Sequence, residues 1–464
     1  MSNAPRIYFL GIGGTLMGNL AILAKQAGYS VSGYDGKIYP PMSDQLANAA
    51  ITVYEHFEPS HLVPSPETVV VGNASMPRGT PALEFVLANG IPYQSGAEWL
   101  GETILRSRHV IAISGTHGKT TTTAMVAWIL HCAGKRPGYL IGGAAQNFEQ
   151  AAELGTGSHF VIEADEYDTS YFDRRSKFRH YRPKTLTIGN LEFDHADIFE
   201  DLEQIKYQFH HLIREIPSNG RIVVPARHQE ILELLERGCW TPVVNFHIDE
   251  QTAIECNVDY SATSTSSDGR EFDVFRGKCK LGTVHWPLLG LHNVSNAMCA
   301  ILAAEHAGVE PEESIRYLPQ FKGVRRRMET IAERGNTTIY SDFAHHPTAI
   351  RASLEALRSH VGTQSIIAVI EPRTHTMSLG TYRDALKDCC VAADEVHWYR
   401  NDSIKWNLDE LASDCVMPTT IHSDIDELVE CICSPKPTKT HVVIMSNGGF
   451  DGIFRLVGEQ ILQG

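Results

Sequence analysis

One junction constrains the fold more than any other: Val110 to Ser114, then Gly115-Thr116-His117-Gly118-Lys119-Thr120, then the apolar stretch Thr121 to Cys132. A strand that runs through a glycine turn into a helix aims successive backbone N–H groups at one point, at the positive end of that helix. Phosphate oxygens suit that point. Lys119 is expected to reach the β and γ phosphates of ATP, with Thr120 offering its hydroxyl to Mg²⁺ and Thr121 following at the mouth of the loop. The pattern is a shortened G-x-x-G-K-T, because Ile113 stands where the longer form has its first glycine. By itself the loop supports phosphate binding and no particular reaction.

Acidic groups follow at the ends of the next two apolar runs. Phe160-Val161-Ile162 leads into Glu163-Ala164-Asp165-Glu166, and Thr185 to Ile188 leads to Asn190-Leu191-Glu192-Phe193-Asp194-His195. Carboxylates at the carboxyl end of a parallel strand beside a phosphate loop suit a hard cation, with Glu163 the first choice and Glu166 the reserve. His195 suits either a structural role or a second metal site. Two Mg²⁺ ions fit phosphoryl transfer, which depends on positioning and charge neutralisation.

Lys and Arg number 40 against 55 Asp and Glu, a net charge of −15, so a bulk nucleic-acid surface is excluded. No run approaches 18 apolar residues, and MSNAPRIYFLGIGG lacks the apolar core of a signal peptide, so a cytoplasmic chain without membrane insertion is expected. The ten cysteines are scattered. Cys389-Cys390 and Cys431-x-Cys433 match neither zinc nor thioredoxin spacings, and they read as small hydrophobes in a reducing compartment.

At 464 residues, about three domains are expected. Alternating strand and helix patterns predict an α/β chain: a Rossmann-like N-terminal domain over 1–106, a P-loop domain over 107–320, and a Rossmann-like C-terminal domain over 321–464. Ser261 to Arg270, ending in Asp268-Gly269, predicts an exposed hairpin tip. His292-Asn293 predicts a helix cap, and Arg325 to Arg327 read alone is an exposed basic run.

These motifs together resemble the Mur ligases, which build the peptide stem of peptidoglycan. The resemblance rests on GTHGKTTT at 115–122, EADE at 163–166, NLEFDH at 190–195, GLHNVSN at 290–296, RRRME at 325–329 and DFAHHP at 342–347, in order along most of the chain. It implies that Lys119 binds ATP phosphates, that Thr120 and Glu163 hold one Mg²⁺ and His195 a second, and that Asn293 and Asn296 lie near adenine. It also implies that Arg327 crosses from the C-terminal domain to the γ phosphate and that Asp342 meets the nucleotide from the same side. Several family members carry a carbamylated lysine after the histidine; here the corresponding stretch is Tyr207-Gln208-Phe209-His210, so none is expected.

Gly11-x-Gly13-Gly14 and Asp35 invite a nicotinamide reading, but Leu16 occupies the place of the third glycine. In this family the same fold takes a UDP sugar, which implies Gly13, Gly14, Asp35, Asn73 and Ser75 at that ligand. Within the family, YPPMS at 39–43, EADEYD at 163–168, EPRxxTM at 371–377 and MSNGGF at 445–450 resemble the peptidoglycan-recycling branch. That branch joins UDP-N-acetylmuramate to L-alanyl-γ-D-glutamyl-meso-diaminopimelate; the alternatives are the branch that adds L-alanine and, in another class, a P-loop ATPase or kinase. Met377 in place of a basic residue suits a longer nucleophile, with His345, His346, Arg373, Ser446 and Asn447 expected at the peptide.

Overall fold

The computed structural model describes residues 4–72, 76–248 and 258–463. Asn73 and Ser75 lie outside the described residues. The backbone forms two compact units, one of residues 1–192, 203–246 and 298–317, the other of 193–202, 247–297 and 318–464.

The first unit contains two sheets. β1 (Arg6–Leu10), β2 (Ser30–Tyr34), β3 (Thr52–Tyr54), β4 (Thr68–Val71) and β5 (Tyr93–Ser95) run parallel in the order β3-β2-β1-β4-β5. The helix Thr15–Gln26 follows the Gly11-to-Gly14 turn directly and buries Leu20, Ala21, Leu23 and Ala24. That is the strand, glycine turn and helix read from the sequence.

The other sheet of this unit uses β6 (His109–Ser114), β7 (Gly138–Leu140), β8 (Ala152–Glu153) and β9 (His159–Glu163). β10 (Asp168–Ser170) and β11 (Asp173–Ser176) form a separate antiparallel ribbon, and β12 (Thr185–Ile188), β13 (Arg221–Pro225) and β14 (Val243–Ile248) complete the sheet. The order is β14-β13-β12-β6-β9-β7-β8, parallel except at β7–β8. β6, β9 and β12 are covered on both faces, which is why their sequences read as unbroken apolar runs rather than alternating ones. The loops after these three strands therefore leave the sheet at one carboxyl edge, where α/β folds place ligands.

In the second unit β15 (Tyr260–Ser264), β16 (Glu271–Arg276) and β17 (Cys279–His285) make an antiparallel meander. β18 (Glu329–Arg334), β19 (Thr337–Asp342), β20 (Ser365–Ile370), β21 (Glu395–Tyr399), β22 (Thr419–His422) and β23 (Thr440–Met445) form a sheet in the order β18-β19-β23-β20-β21-β22. It is parallel except for the edge strand β18. Ile366, Ala368 and Ile370 point into one core layer with Leu354 and Leu357, while Ile367 and Val369 join Leu428, Ile432 and Ile453 in the other.

Three local expectations need correction. The β15–β16 hairpin forms as expected, with Thr265, Ser267 and Arg270 exposed, but its Asp268-Gly269 end is built into the fold: Gly269 is buried, its carbonyl accepts Trp286 Nε1–H at 3.0 Å, and Asp268 O accepts Gly290 N–H at 2.7 Å while its carboxylate meets His360 Nδ1 at 2.9 Å. Turn composition reports the backbone's need for a bend and says nothing of what packs on it. Asn293 is the third residue of the helix Leu291–His306 and not its cap, and its side chain donates to Leu289 O at 2.8 Å. Arg325 is exposed, but Arg326 donates to Ser446 O at 2.6 Å and Gly448 O at 2.8 Å, so the basic run is partly built into the fold.

Candidate active site

In the first unit, the residues singled out from the sequence converge on the carboxyl ends of β6 and β9. Gly115 sits at φ 130° and Gly118 at φ 79°. A Cβ on Gly115 would lie 3.0 Å from Asn190 O, so both conformation and space require glycine there. The loop is braced from behind by a residue to which the sequence reading gave no role: Asn190 Oδ1 accepts His117 N–H at 2.8 Å and its Nδ2 donates to His117 O at 3.1 Å. Thr116 Oγ1 accepts Glu192 N–H at 2.8 Å, and His117 Nε2 lies 3.1 Å from Glu192 Oε2.

Lys119 Nζ donates to Gly115 O at 2.7 Å and stands 3.6 Å from Asp165 and 3.8 Å from Glu166. Its charge is thus folded back over the loop. Thr120 Oγ1 donates to Glu163 Oε2 at 3.3 Å, while Glu163 Oε1 accepts Gly142 N–H at 2.5 Å. Desolvation, with Asp165 next in weight, raises the Glu163 carboxyl to about 7. An oxygen-donor pair of hydroxyl and carboxylate, short of compensating positive charge, fits a hard cation such as Mg²⁺.

Gly142 carries no sequence signature, yet a Cβ there would fall 2.7 and 2.9 Å from the Glu163 oxygens. Gly142→Val is therefore expected to push Glu163 off its position and weaken Mg²⁺ binding about tenfold. Calorimetric titration with Mg²⁺ checks this; an unchanged affinity would mean that Glu163 does not hold the ion.

At β1, Gly13 N–H donates to Asp35 Oδ2 at 2.7 Å and Gly36 N–H to Asp35 Oδ1 at 2.8 Å. Asp35 thus braces the glycine turn with both oxygens. Gly14 ends that turn in extended backbone, immediately before the helix.

The second unit gathers another group at the carboxyl ends of β19, β20 and β23. Arg327 places its guanidinium 4.9 Å above the Phe343 ring. Its neighbours Arg326 (φ 58°) and Met328 (φ 50°) are both left-handed, a conformation that costs roughly 1 kcal/mol per residue without glycine. Asp342 holds this strained loop: it is buried, and its oxygens accept Met328 N–H at 2.8 Å and Ala344 N–H at 2.7 Å. Burial raises its pKa, against the pull of Arg327 and of these bonds. His292 is held down to about 4 by desolvation and by Arg327, so a neutral ring faces the arginine.

Asp342→Asn would set an amide N–H₂ against a backbone N–H. A loss of about 2 kcal/mol in unfolding free energy is expected. Chemical denaturation checks it, and unchanged stability would mean that the loop is held by other contacts.

His195, at φ 59°, follows Asp194, whose Oδ1 accepts both His195 N–H at 2.8 Å and the Thr376 hydroxyl at 3.2 Å. Burial opposes ionisation of Asp194, but His195 and its backbone N–H, with His345 and His346, hold its pKa below the usual value. Tyr382 OH donates to Phe193 O and Thr376 Oγ1 accepts Ala196 N–H at 3.2 Å, so this short segment is fastened on both sides. His345 Nδ1 meets Phe343 O at 2.8 Å, and His346 Nδ1 caps the helix Pro347–Val361 through Thr348 N–H at 3.3 Å.

Ser446 is fully buried, donating to Glu371 Oε2 at 2.5 Å and accepting Gly448 N–H at 2.9 Å. Glu371, buried and absent from the sequence-based candidates, also accepts Asn401 Nδ2–H at 3.3 Å and lies 3.6 Å from Arg373. Asn447 follows in the same corner, partly exposed, and the Arg373 side chain passes over Gly448. Asn296 Nδ2 donates to Asn293 Oδ1 at 3.2 Å, so the two asparagines act as one polar group on their helix.

The chain of largely parallel α/β sheets, with a braced glycine loop beside a carboxylate–hydroxyl pair, matches the domain families of one enzyme class. The Mur ligase family catalytic domain matches residues 6–108, the Mur ligase middle domain 113–304, and the Mur ligase glutamate ligase domain 326–448. The chain belongs to the Mur ligase family. It is 46% identical to the UDP-N-acetylmuramate–L-alanyl-γ-D-glutamyl-meso-2,6-diaminoheptandioate ligase of Escherichia coli (strain K12), covering 97% of this chain and 96% of that protein. The crystal structure of a murein peptide ligase from Psychrobacter arcticus 273-4 superposes with a TM-score of 0.74 at 41% identity, covering 99% of each chain. A UDP-N-acetylmuramate–L-alanine ligase from Desulforapulum autotrophicum is 32% identical over 80% of this chain and 78% of its own.

Proposed function

We propose that this protein joins UDP-N-acetylmuramate to the tripeptide L-alanyl-γ-D-glutamyl-meso-diaminopimelate, using ATP and releasing ADP and phosphate, in the cytoplasmic recycling of peptidoglycan. The observation that carries this reading is the near-full-length 46% identity to a tripeptide ligase, against 32% over a shorter span to an L-alanine ligase. Domain boundaries near 106 and 320 go with it, supported by the separate sheets formed by β1–β5, by β6–β9 with β12–β14, and by β18–β23.

The muramate carboxylate attacks the γ phosphate of ATP, ADP leaves, and the α-amine of the peptide displaces phosphate from the resulting acyl phosphate. Backbone N–H groups of Gly115 to Thr120, with Thr121, hold the phosphates, and Lys119 swings its ammonium from Gly115 O to the oxygens that gain charge. Bound Mg²⁺ would be held by Thr120 and Glu163, a second by His195, and would neutralise phosphate charge. Arg327 and Asp342 are assigned to the nucleotide phosphates, the one by contact and the other by bracing the loop. Asn293 and Asn296 are assigned to adenine. Gly13, Gly14 and the Asp35-braced turn, with Asn73 and Ser75, are assigned to the UDP diphosphate. Arg373 is assigned to a peptide carboxylate from the corner of Ser446 and Asn447, and His345 and His346 to the same substrate.

The test is ADP release from UDP-N-acetylmuramate with L-alanine, tripeptide and pentapeptide compared side by side. Tripeptide is expected to give a kcat/KM at least about a hundredfold above that of L-alanine, as expected when most of the peptide's contacts are lost. Comparable values for the two would sink the recycling assignment, and ADP release that ignores both acceptors would favour a simple ATPase.

A further inference from the structure

Away from the residues assigned to the reaction, one polar cluster lies in the second unit at the β22 edge of its six-stranded sheet. His397 on β21 pairs in register with Thr420, and Tyr399 with His422 on β22, so the two histidines project from the same face of neighbouring strands. The helix Ile425–Cys433 covers that face with Leu428 and Ile432, and its Cys431 lies on the turn between them. His397 is 2% exposed and His422 5%. Two buried imidazoles and a partly exposed thiol thus lie side by side under this helix.

The donor geometry is close. One ligand atom from each of His397, His422 and Cys431 lies within 4.8 Å of the other two. His397 Nδ1 is 2.9 Å from His422 Nε2, so one ring gives its proton to the other, while His422 Nδ1 is buried with no hydrogen-bond partner. The far nitrogen of His397, Nε2, stands 3.2 Å from Glu395 Oε1. A carboxylate behind a histidine in this manner holds a proton on Nε2 and leaves Nδ1 as a lone pair, the arrangement that supports metal-ligating histidines.

We propose that His397, His422 and Cys431 form a binding site for one zinc-class divalent cation, with Glu395 orienting His397. The two-nitrogen, one-sulfur donor set selects such an ion over Mg²⁺. Binding exchanges the ring-to-ring hydrogen bond for two N–metal bonds, with the His422 proton moving to Nδ1. The Cys431 thiol proton is released to solvent as the S–metal bond forms. Cys431 is partly exposed, which gives the ion a path in and leaves the fourth position to water. Thiolate, Glu395 and Glu427 supply negative charge against the Lys436 ammonium, which donates to Cys431 O at 3.2 Å. The ion clips the four-residue edge strand β22 to β21 and to the covering helix.

The test uses the full-length untagged chain, stripped with a chelator and titrated with Co²⁺, then with Zn²⁺ in competition against a chromophoric chelator. The wild type is expected to take one equivalent of Co²⁺ with a thiolate-to-metal charge-transfer band that Zn²⁺ abolishes. Cys431→Ser is expected to lose the band, His422→Gln to weaken binding by tenfold or more, and Glu395→Gln to weaken it about tenfold. Each variant should keep ATP-dependent turnover, which verifies that it folds, and Glu163→Gln should keep the band. A wild type without the band, or a band that persists in Cys431→Ser, would overturn the proposal.

Discussion

Lys119→Ala is expected to lower turnover by about three orders of magnitude, the scale on which one pre-placed charge acts on a phosphoryl transfer. The ammonium already sits over the loop, 2.7 Å from Gly115 O, so a short movement separates its resting place from a bound phosphate. Its loss has a second effect. Asp165 and Glu166, 3.6 and 3.8 Å away, would lose this cation beside the incoming nucleotide. Both kcat and ATP affinity should therefore fall, whereas UDP-N-acetylmuramate binding, measured by calorimetry, should stay within about twofold. Loss of sugar-nucleotide binding would show that the ligands have been assigned to the wrong loops, and near-normal turnover would remove Lys119 from the reaction.

Arg327→Ala is expected to cut kcat about a hundredfold or more while ATP affinity changes only a few-fold, because an arginine that serves the transferring phosphoryl group contributes mainly to the transition state. Its setting argues for preorganisation. The guanidinium lies 4.9 Å over the Phe343 ring, two left-handed residues flank it, and Asp342 ties the loop down. Strain of this kind persists only where surrounding contacts over-determine it. Arg327→Lys should recover little, since an ammonium cannot reproduce the forked donation of a guanidinium. Single-turnover measurement of acyl-phosphate formation separates the outcomes, and an unchanged rate would leave Arg327 a structural residue.

Much of this was legible in the chain because its signals are local. A glycine loop between an apolar strand and an apolar helix reads in one pass, and β6, β9 and β12 appear close to where their sequences put them. The unbroken apolar runs of the buried strands marked parallel sheets for the same reason. The failures are equally physical. The Asp268-Gly269 turn was recognisable as a turn, but not as one whose carbonyls and carboxylate are taken up by Trp286, Gly290 and His360. The arginine run at 325–327 looked solvated because adjacent charges usually are, while two of the three stack on aromatic rings.

The phosphate loop, the acidic strand ends, the α/β class and the ordered motifs were determined by the sequence alone, since each depends on residues within a few positions of one another. Tertiary structure alone decided how those parts are held. Asn190 behind the loop, Gly142 against Glu163, Asp342 under Arg327 and Glu371 beneath Ser446 are contacts across 21 to 75 positions in most cases, and only 14 for Asp342 with Met328. Sheet register sets such distances, and no local pattern records it. The same holds for His397, His422 and Cys431: their spacing matches no metal motif, and only the pairing of β21 with β22 under one helix brings two nitrogens and a sulfur together.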